Sequence, residues 1–173
     1  MSQEEILNIL LQNEFITNTI MNPIIDNLEK VIIRNNSFLL INKEEIQKES
    51  DERLHLFDVS VLLDIMGSLC GKILVSVEES MMKKIVQKFV INEISEEEIA
   101  AYMEDTLSEC LNIILGNSLD CFGQQYHVTI GNSPLAITSE HAILKYPNTT
   151  AWTCYLHTNE GNILLAYIIP ETC

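Results

Sequence analysis

The segment from Ser95 to Gln125 constrains the fold more than any other part of the sequence, because it predicts one long helix. Ser95 is followed by three glutamates at 96–98, which is typical of an N-cap with negative charge at the positive end of a helix. Apolar residues then recur at helical spacing and form one broad stripe along the predicted helix. The residues of this stripe are Ile99, Met103, Leu107, Cys110, Ile113 and Ile114.

The opposite side of the same predicted helix is polar. At about 100° per residue, four residues fall within roughly 60° of each other there: Asp105, Glu109, Asn112 and Gly116. Glu109 and Asn112 are therefore expected to point outward together. A Glu and an Asn three residues apart are more often only a solvated helix face, and residues 5–8 contain the same short pattern. The pair by itself is weak evidence for a site.

Length and charge limit the classes of protein to which the chain can belong. Its 173 residues, 47% of them apolar, suit one globular domain. Ten basic and 25 acidic residues give a formal charge of −15, which disfavours nucleic acid and anionic membranes as partners. The N-terminus carries acidic residues instead of a basic leader, and no apolar run approaches the length that spans a bilayer. We expect a cytoplasmic protein.

The cysteines and histidines are scattered along the chain. Five cysteines contain no C-x-x-C pair, and four histidines lie far apart in sequence. Reduced thiols are expected in the cytoplasm, where disulfides are rare. A zinc site needs clustered ligands, so we predict no metal site.

Helices are expected in three further parts of the chain. Residues 4–34 predict two helices, in which Asn22 is the N-cap of the second and Pro23 separates it from the first. Another helix is expected to begin at residues 78–80, where two glutamates and a serine precede an apolar pattern.

The remaining segments predict strands and turns. Branched apolar runs at 54–77 predict a hairpin that turns between Gly67 and Gly71, whereas the charge-rich stretch 43–53 predicts a loop. Five segments after Gly123 predict strands, and these are 126–130, 135–138, 141–146, 151–157 and 163–169, with turn residues at 159–162. This order predicts an α+β domain, with helices against a largely antiparallel sheet.

The polar residues of the long helix belong to a longer pattern, Asp105-x3-Glu109-x2-Asn112-x21-Pro134. This pattern resembles the phosphatase signature of the CheC/CheX/FliY family, (D or S)-x3-E-x2-N-x21-P, at all four specified positions. Gly116 also matches the family pattern, whereas residues 5–8 lack the rest of the signature. The chain contains one copy of the signature and so resembles CheX-like members of the family. CheC-like members commonly carry two copies. The resemblance implies the same α+β fold.

The resemblance also implies an activity, which is removal of the phosphoryl group from the aspartyl phosphate of a CheY-like response regulator. Asn112 would hold the attacking water in line with phosphorus, because a carboxamide both donates and accepts hydrogen bonds. Glu109 would pair with the phosphate-binding lysine of the regulator. Mg²⁺ is expected in the regulator, so this chain would bind no cofactor itself. Leu111 stands where relatives often have Gly, and we expect it to pack sideways instead of blocking the site.

Two other functions are compatible with the sequence. A non-catalytic CheC-like or flagellar-switch-like adaptor is the main alternative, because a fold does not determine a function. A hydrolase with Cys110 as nucleophile is a more distant one. Cys110 lies on the apolar stripe, where an inert buried thiol is expected, and no histidine is close to it in sequence.

The resemblance further implies a homodimer with one outward-facing Glu109/Asn112 site per subunit. The apolar segment 163–169 would support dimerisation if it lay at a sheet edge, since an uncovered edge strand pairs readily with another chain. The same composition is equally typical of a central strand.

Overall fold

The long helix and two other helices cover one face of an antiparallel sheet in the computed structural model, which describes residues 11–90, 94–131, 133–138 and 143–170. We call the helix at residues 11–34 the N-terminal helix, Glu79–Phe89 the middle helix and Glu96–Tyr126 the long helix. The predicted α+β class is confirmed.

The strands of the described residues are β1 Leu40–Lys43, β2 Gln47–Lys48, β3 Arg53–His55, β4 Val59–Met66, β5 Gly71–Val77, β6 Thr129–Ile130, β7 Leu135–Thr138, β8 Ile143–Lys145, β9 Thr149–Thr158 and β10 Asn162–Pro170. The main sheet has the order β1–β9–β10–β5–β4–β6, with β2 also paired to β9 and β7 also paired to β4. Strands β3 and β8 form a separate antiparallel pair. Every pairing between these strands is antiparallel.

The two faces of the main sheet are covered by different layers. Side chains alternate along β4, so that Val61 and Leu63 belong to the core beneath the helices, while Leu62 belongs to a second, smaller core. The smaller core also contains Leu54 of β3 and packs β3 and β8 against the sheet. The helices therefore lie on one side of the sheet, and the β3–β8 pair lies on the other.

The N-terminal helix runs through Pro23 without a break, so the prediction of two helices separated at Asn22 and Pro23 is wrong. Asn22 has helical dihedral angles, φ −59° and ψ −47°, and its N–H donates to the Thr17 carbonyl oxygen five residues earlier. Such a wide turn is a common device where a proline enters a helix. Burial of apolar side chains on both sides, including Ile20 and Ile24, holds the helix together across this turn. Residues 4–10 lie outside the described residues.

Short strands occur where a loop was predicted at 43–53. Gln47–Lys48 pairs with β9, and Arg53–His55 pairs with β8. The intervening residues have no regular structure. The loop prediction is therefore wrong for the paired residues, because charged side chains on their own do not reveal backbone pairing at a sheet edge.

The segment 163–169 lies in β10, which is central in the sheet. Its neighbours are β9 on one side and β5 on the other. Of the two positions that the composition allowed, the central one is confirmed, so this segment gives no support to dimerisation. Its apolar composition reflects burial on both faces.

The β4–β5 hairpin is confirmed, and its turn contacts the end of the long helix. Gly67 has φ +111°, and a Cβ at this position would lie 2.1 Å from the carbonyl oxygen of His127. His127 is the residue at which the helix stops, in a left-handed conformation with φ 50°. Only glycine fits this approach, so the hairpin turn fixes the C-terminal end of the long helix. The helix includes Tyr126, where a strand was predicted to start.

Candidate functional site

The long helix begins with the N-cap that the sequence predicts. The Glu98 N–H donates to Ser95 Oγ at 3.2 Å, and the Ser95 N–H donates to Glu98 Oε2 at 2.8 Å. These two bonds satisfy backbone donors that a helix start leaves unpaired. Hydrogen bonds from Ser95, first of all from its backbone N–H, lower the pKa of the Glu98 carboxyl. The helix then continues for 31 residues.

One side of the long helix is buried against the sheet and the N-terminal helix. Its buried residues are Ile99, Met103, Leu107, Cys110, Leu111, Ile114, Leu115, Ser118, Phe122 and Gly123. Leu111 is fully buried, which confirms that it packs into the core and does not obstruct the opposite side. Ile113 is 39% exposed, so its assignment to the buried stripe is wrong.

The signature residues of the long helix lie on the exposed side. Asp105, Glu109, Asn112 and Gly116 are all exposed. Within the described part of the chain, the side chains of Glu109 and Asn112 have no hydrogen-bond or ion-pair partner. A carboxylate and a carboxamide are thus presented to solvent about one helical turn apart, where both can contact another molecule.

Gly116 is not required by packing within the chain. A Cβ built at this position meets no atom within 4 Å, so an alanine would fit in the helix. Glycine lowers helix stability by about 1 kcal/mol relative to alanine. Gly116 therefore leaves the helix surface one turn beyond Asn112 without a side chain, and this slightly lowers the stability of the helix.

Pro134 is distant from the long helix in sequence, but it lies between two strands that contact this helix. It is half-buried and directly precedes β7, in the connection from β6. Both β6 and β7 contact the long helix. A proline is compatible with this position because it lies just before the strand, where no backbone N–H is needed for strand pairing. Its part in the signature stays a prediction.

A buried hydrogen-bond network that sequence reasoning missed joins the long helix to the N-terminal helix. Asn27 Nδ2 donates to Ser118 Oγ at 3.1 Å and to the Pro23 carbonyl oxygen at 3.0 Å. The Ser118 hydroxyl donates to the Ile114 carbonyl oxygen at 2.7 Å. The one signal in the sequence is that Ser118 continues the apolar stripe, four residues after Ile114.

The exposed side of the long helix also carries two large apolar side chains. Tyr102 is 47% exposed and Ile113 is 39% exposed. Neither was predicted to be part of the site. Tyr102 lies two turns before Glu109, and Ile113 lies one turn after it.

Cys110 does not have the properties of a catalytic nucleophile. It is fully buried, and burial, together with the charge of Glu109, raises the pKa of its thiol to about 12. The thiol is therefore protonated at neutral pH and unreactive, which removes support from the hydrolase alternative. Cys121 and Cys154 are also free thiols, whereas Cys70 is disulfide-bonded, contrary to the expectation of five reduced cysteines.

The described residues contain neither a cluster of metal ligands nor a membrane-spanning helix. In residues 11–90, 94–131, 133–138 and 143–170, no group of three or more His, Cys, Asp or Glu residues is arranged to hold a metal ion. None of the helices in the same ranges is long and apolar enough to cross a membrane. Cytoplasmic localisation stays a prediction.

Comparison with known proteins identifies a family whose model covers most of the sheet and the long helix. Residues 59–157 match the family described as chemotaxis phosphatase CheX. No curated protein has a sequence that matches this chain.

Solved structures with the same fold come from several bacteria. The chain is similar to the chemotaxis protein CheX from Desulfovibrio desulfuricans, with 17% identity, a TM-score of 0.72 and coverage of 86% of this chain and 97% of that one. It is similar to a CheC-like superfamily protein from Shewanella sp. PV-4, with 17% identity, a TM-score of 0.69 and coverage of 86% and 95%. It is also similar to a chain of the CheX–CheY–BeF3–Mg²⁺ complex from Borrelia burgdorferi, with 21% identity, a TM-score of 0.67 and coverage of 86% and 96%.

Proposed function

The chain belongs to the CheX family of chemotaxis phosphatases, and from that premise we propose that it removes the phosphoryl group from the aspartyl phosphate of a CheY-like response regulator. The observation that carries this proposal is the outward-facing pair of Glu109 and Asn112, which are exposed and have no partner among the described residues. The structure of a related CheX with CheY, BeF3 and Mg²⁺ supports a regulator as the partner.

Asn112 positions the attacking water. An acyl phosphate is already reactive toward water, so a second protein accelerates its hydrolysis mainly by holding that water in line with phosphorus. The carboxamide of Asn112 accepts a hydrogen bond from the water through its oxygen and donates one through its nitrogen. An amide is too weak a base to remove the proton, so its contribution is orientation.

Glu109 fixes the register of the two proteins. It lies three residues before Asn112 on the same exposed side, so both side chains reach the same bound molecule. A lysine beside the phosphoryl group of the regulator forms a charge-assisted hydrogen bond with the Glu109 carboxylate. This pair aligns Asn112 with the phosphorus.

The metal ion of the reaction belongs to the regulator in this proposal. Mg²⁺ held by the regulator neutralises charge on the phosphoryl oxygens during transfer. The residues of this chain then need to supply only the water-positioning amide and the pairing carboxylate.

The test is to follow loss of phosphate from a panel of phosphorylated CheY-like regulators of the same organism. Addition of the wild-type protein is expected to accelerate dephosphorylation of at least one regulator. Asn112→Ala is expected to lower this rate about 100-fold, because water positioning is lost. Its free energy of unfolding should not fall, since the side chain is exposed, and should rise by up to about 0.7 kcal/mol because alanine is the better helix former.

Asn117→Ala is the matched control for this substitution. Asn117 is also an exposed asparagine of the long helix, but it points about 140° away from Asn112 around the helix axis. The control is expected to retain wild-type activity. Near-native dephosphorylation by Asn112→Ala would exclude Asn112 from the mechanism.

Glu109→Ala is expected to weaken both binding and turnover, by roughly 10-fold in kcat/KM, because one ion pair between the proteins is lost. An unchanged KM and kcat would contradict its docking role. If the wild-type protein binds a regulator but accelerates no dephosphorylation, the adaptor function is correct instead.

We also propose a homodimer with two independent sites, which now rests on the family resemblance alone because β10 is a central strand. Each site is expected to lie outside the subunit boundary, since a whole regulator has to reach Asn112. Sedimentation equilibrium at micromolar concentration should give twice the chain mass of 19.7 kDa. A single-chain mass would contradict the dimer.

A further inference from the structure

The apolar side chains of Tyr102 and Ile113 are aligned with Glu109 on the exposed side of the long helix. At about 100° per residue, the three positions fall within roughly 40° of each other around the helix axis. Eleven residues separate Tyr102 from Ile113, which corresponds to about 16 Å along the helix. Single exposed apolar residues are ordinary, but here two large ones lie on the same strip of the helix as a candidate docking residue, one on each side of it.

Gly116 extends this surface beyond Ile113. It lies about one turn after Ile113 and two turns after Glu109, on the same exposed side. No atom of the described chain occupies the space next to it, so the glycine has no packing role in the monomer. A glycine in a helix lowers helix stability, but it allows the backbone of another molecule to approach closely.

The charged side chains of the long helix all have one sign. Glu96–Tyr126 contains seven acidic residues and no basic residue. Asp105 and Glu109 lie on the exposed side between Tyr102 and Ile113. A partner that covers the apolar side chains therefore has to present basic groups close to apolar ones.

We propose that Tyr102, Ile113 and Gly116, with Glu109 between them, form the surface on which the phosphorylated response regulator docks, and that the two apolar side chains determine which regulator binds. This inference rests on the proposed function. Glu109 supplies the ion pair to the regulator's lysine, Tyr102 and Ile113 bury apolar surface on either side of it, and Gly116 admits the regulator's backbone. Docking by these contacts brings the phosphoryl group to Asn112.

Burial of the exposed part of these side chains has a measurable effect on affinity. Full burial of a large apolar side chain changes a binding constant by one to two orders of magnitude, and roughly half of each side chain is available here. Loss of either side chain should therefore weaken binding by about 3- to 10-fold.

The first experiment compares Tyr102→Ser and Ile113→Ser with the matched control Ile41→Ser. Ile41 is 67% exposed in β1, at the sheet edge opposite to β4, β6 and β7, which contact the long helix. Binding of a CheY-like regulator loaded with beryllofluoride and Mg²⁺ is measured by calorimetry, and dephosphorylation is measured with the phosphorylated regulator. Tyr102→Ser and Ile113→Ser are expected to raise Kd and KM about 3- to 10-fold with kcat within about twofold of wild type. Wild-type Kd in both variants, or an equal rise in Ile41→Ser, overturns the proposal.

The second experiment separates docking from folding, because Gly116→Ala should change the two in opposite directions. Its Tm is expected to rise by about 2–4 °C through better helix propensity, while KM rises because the added methyl group obstructs the regulator. Gln125→Ala is the control, since alanine is also the better helix former there and exposed Gln125 points about 180° away from Gly116 around the helix axis. It should raise the Tm without raising KM. A Gly116→Ala variant with unchanged Kd and KM removes Gly116 from the surface.

The outcomes also distinguish failure of this inference from failure of the proposed function. If the wild-type protein neither binds nor dephosphorylates any regulator of the panel, the proposed function fails and the inference fails with it. If the wild-type protein does both and the Tyr102 and Ile113 variants do so equally well, only the inference fails. Binding without dephosphorylation overturns the phosphatase activity, and the Kd values of the variants still decide whether this surface is used.

Discussion

Removal of the Ser118 hydroxyl is expected to destabilise the contact between the N-terminal helix and the long helix. Ser118 is fully buried and Asn27 is 8% exposed. Asn27 Nδ2 donates to Ser118 Oγ at 3.1 Å and to the Pro23 carbonyl oxygen at 3.0 Å. In Ser118→Ala, one N–H of the Asn27 amide loses its acceptor and water has little access to replace it.

The magnitude follows from two opposing effects. A buried donor without a partner costs about 1–3 kcal/mol, whereas alanine is a better helix former than serine by about 0.5 kcal/mol. The expected net loss is about 1.5 kcal/mol in the free energy of unfolding. For a chain of this size this corresponds to a decrease of about 3–6 °C in Tm.

Urea unfolding followed by circular dichroism measures this loss. Ser108→Ala is the control, because Ser108 is a half-buried serine of the same helix without a hydrogen bond from its side chain in the described chain. Combination of Ser118→Ala with Asn27→Leu should give a smaller loss than the sum of the single losses, by about 1 kcal/mol, since the second change removes the unpaired amide. Equal urea midpoints for the two serine variants, or strictly additive losses in the double variant, would refute the reasoning.

The remaining predictions concern the core and the dependence of stability on pH. Leu111→Ala should lower the free energy of unfolding by about 2–5 kcal/mol in urea unfolding, because Leu111 is fully buried, and a change as small as that of Asn112→Ala would contradict its core position. The pKa of His157 is raised by its hydrogen bonds to Glu44 and Asn162, which lie 2.8 and 2.7 Å from its ring nitrogens. Protonated His157 therefore stabilises the fold through these hydrogen bonds. The stabilisation is complete below the unfolded-state pKa of about 6.5 and is lost as the pH rises through the higher folded-state pKa. The stability difference between wild type and His157→Gln should decrease as the pH rises from about 6 to about 8.5. A constant difference over this range would contradict the raised pKa.

The position and orientation of the long helix could be predicted from the sequence because both depend on local physics. Ser95 and Glu98 satisfy the first N–H groups of the helix within four residues of chain. The 3.6-residue period then separates apolar from polar positions, so the exposure of Glu109 and Asn112 follows from spacing alone. The hairpin around Gly67 could be predicted for the same reason, since its turn requires a residue that adopts positive φ.

The tertiary structure decided the features that depend on partners distant in sequence. Pro23 is a helix-start residue by local preference, yet burial of the apolar residues around it keeps one helix continuous through a wide turn. The segment 163–169 became a central strand because β9 and β5 pair with its two sides, which its composition alone could not determine. Ile113 is exposed because a position at the border of the apolar stripe is buried only if a neighbouring element covers it. The Asn27–Ser118 hydrogen bond joins residues 91 positions apart in sequence. Spacing along one helix determines which way a side chain points, but only the assembled layers determine whether anything covers it.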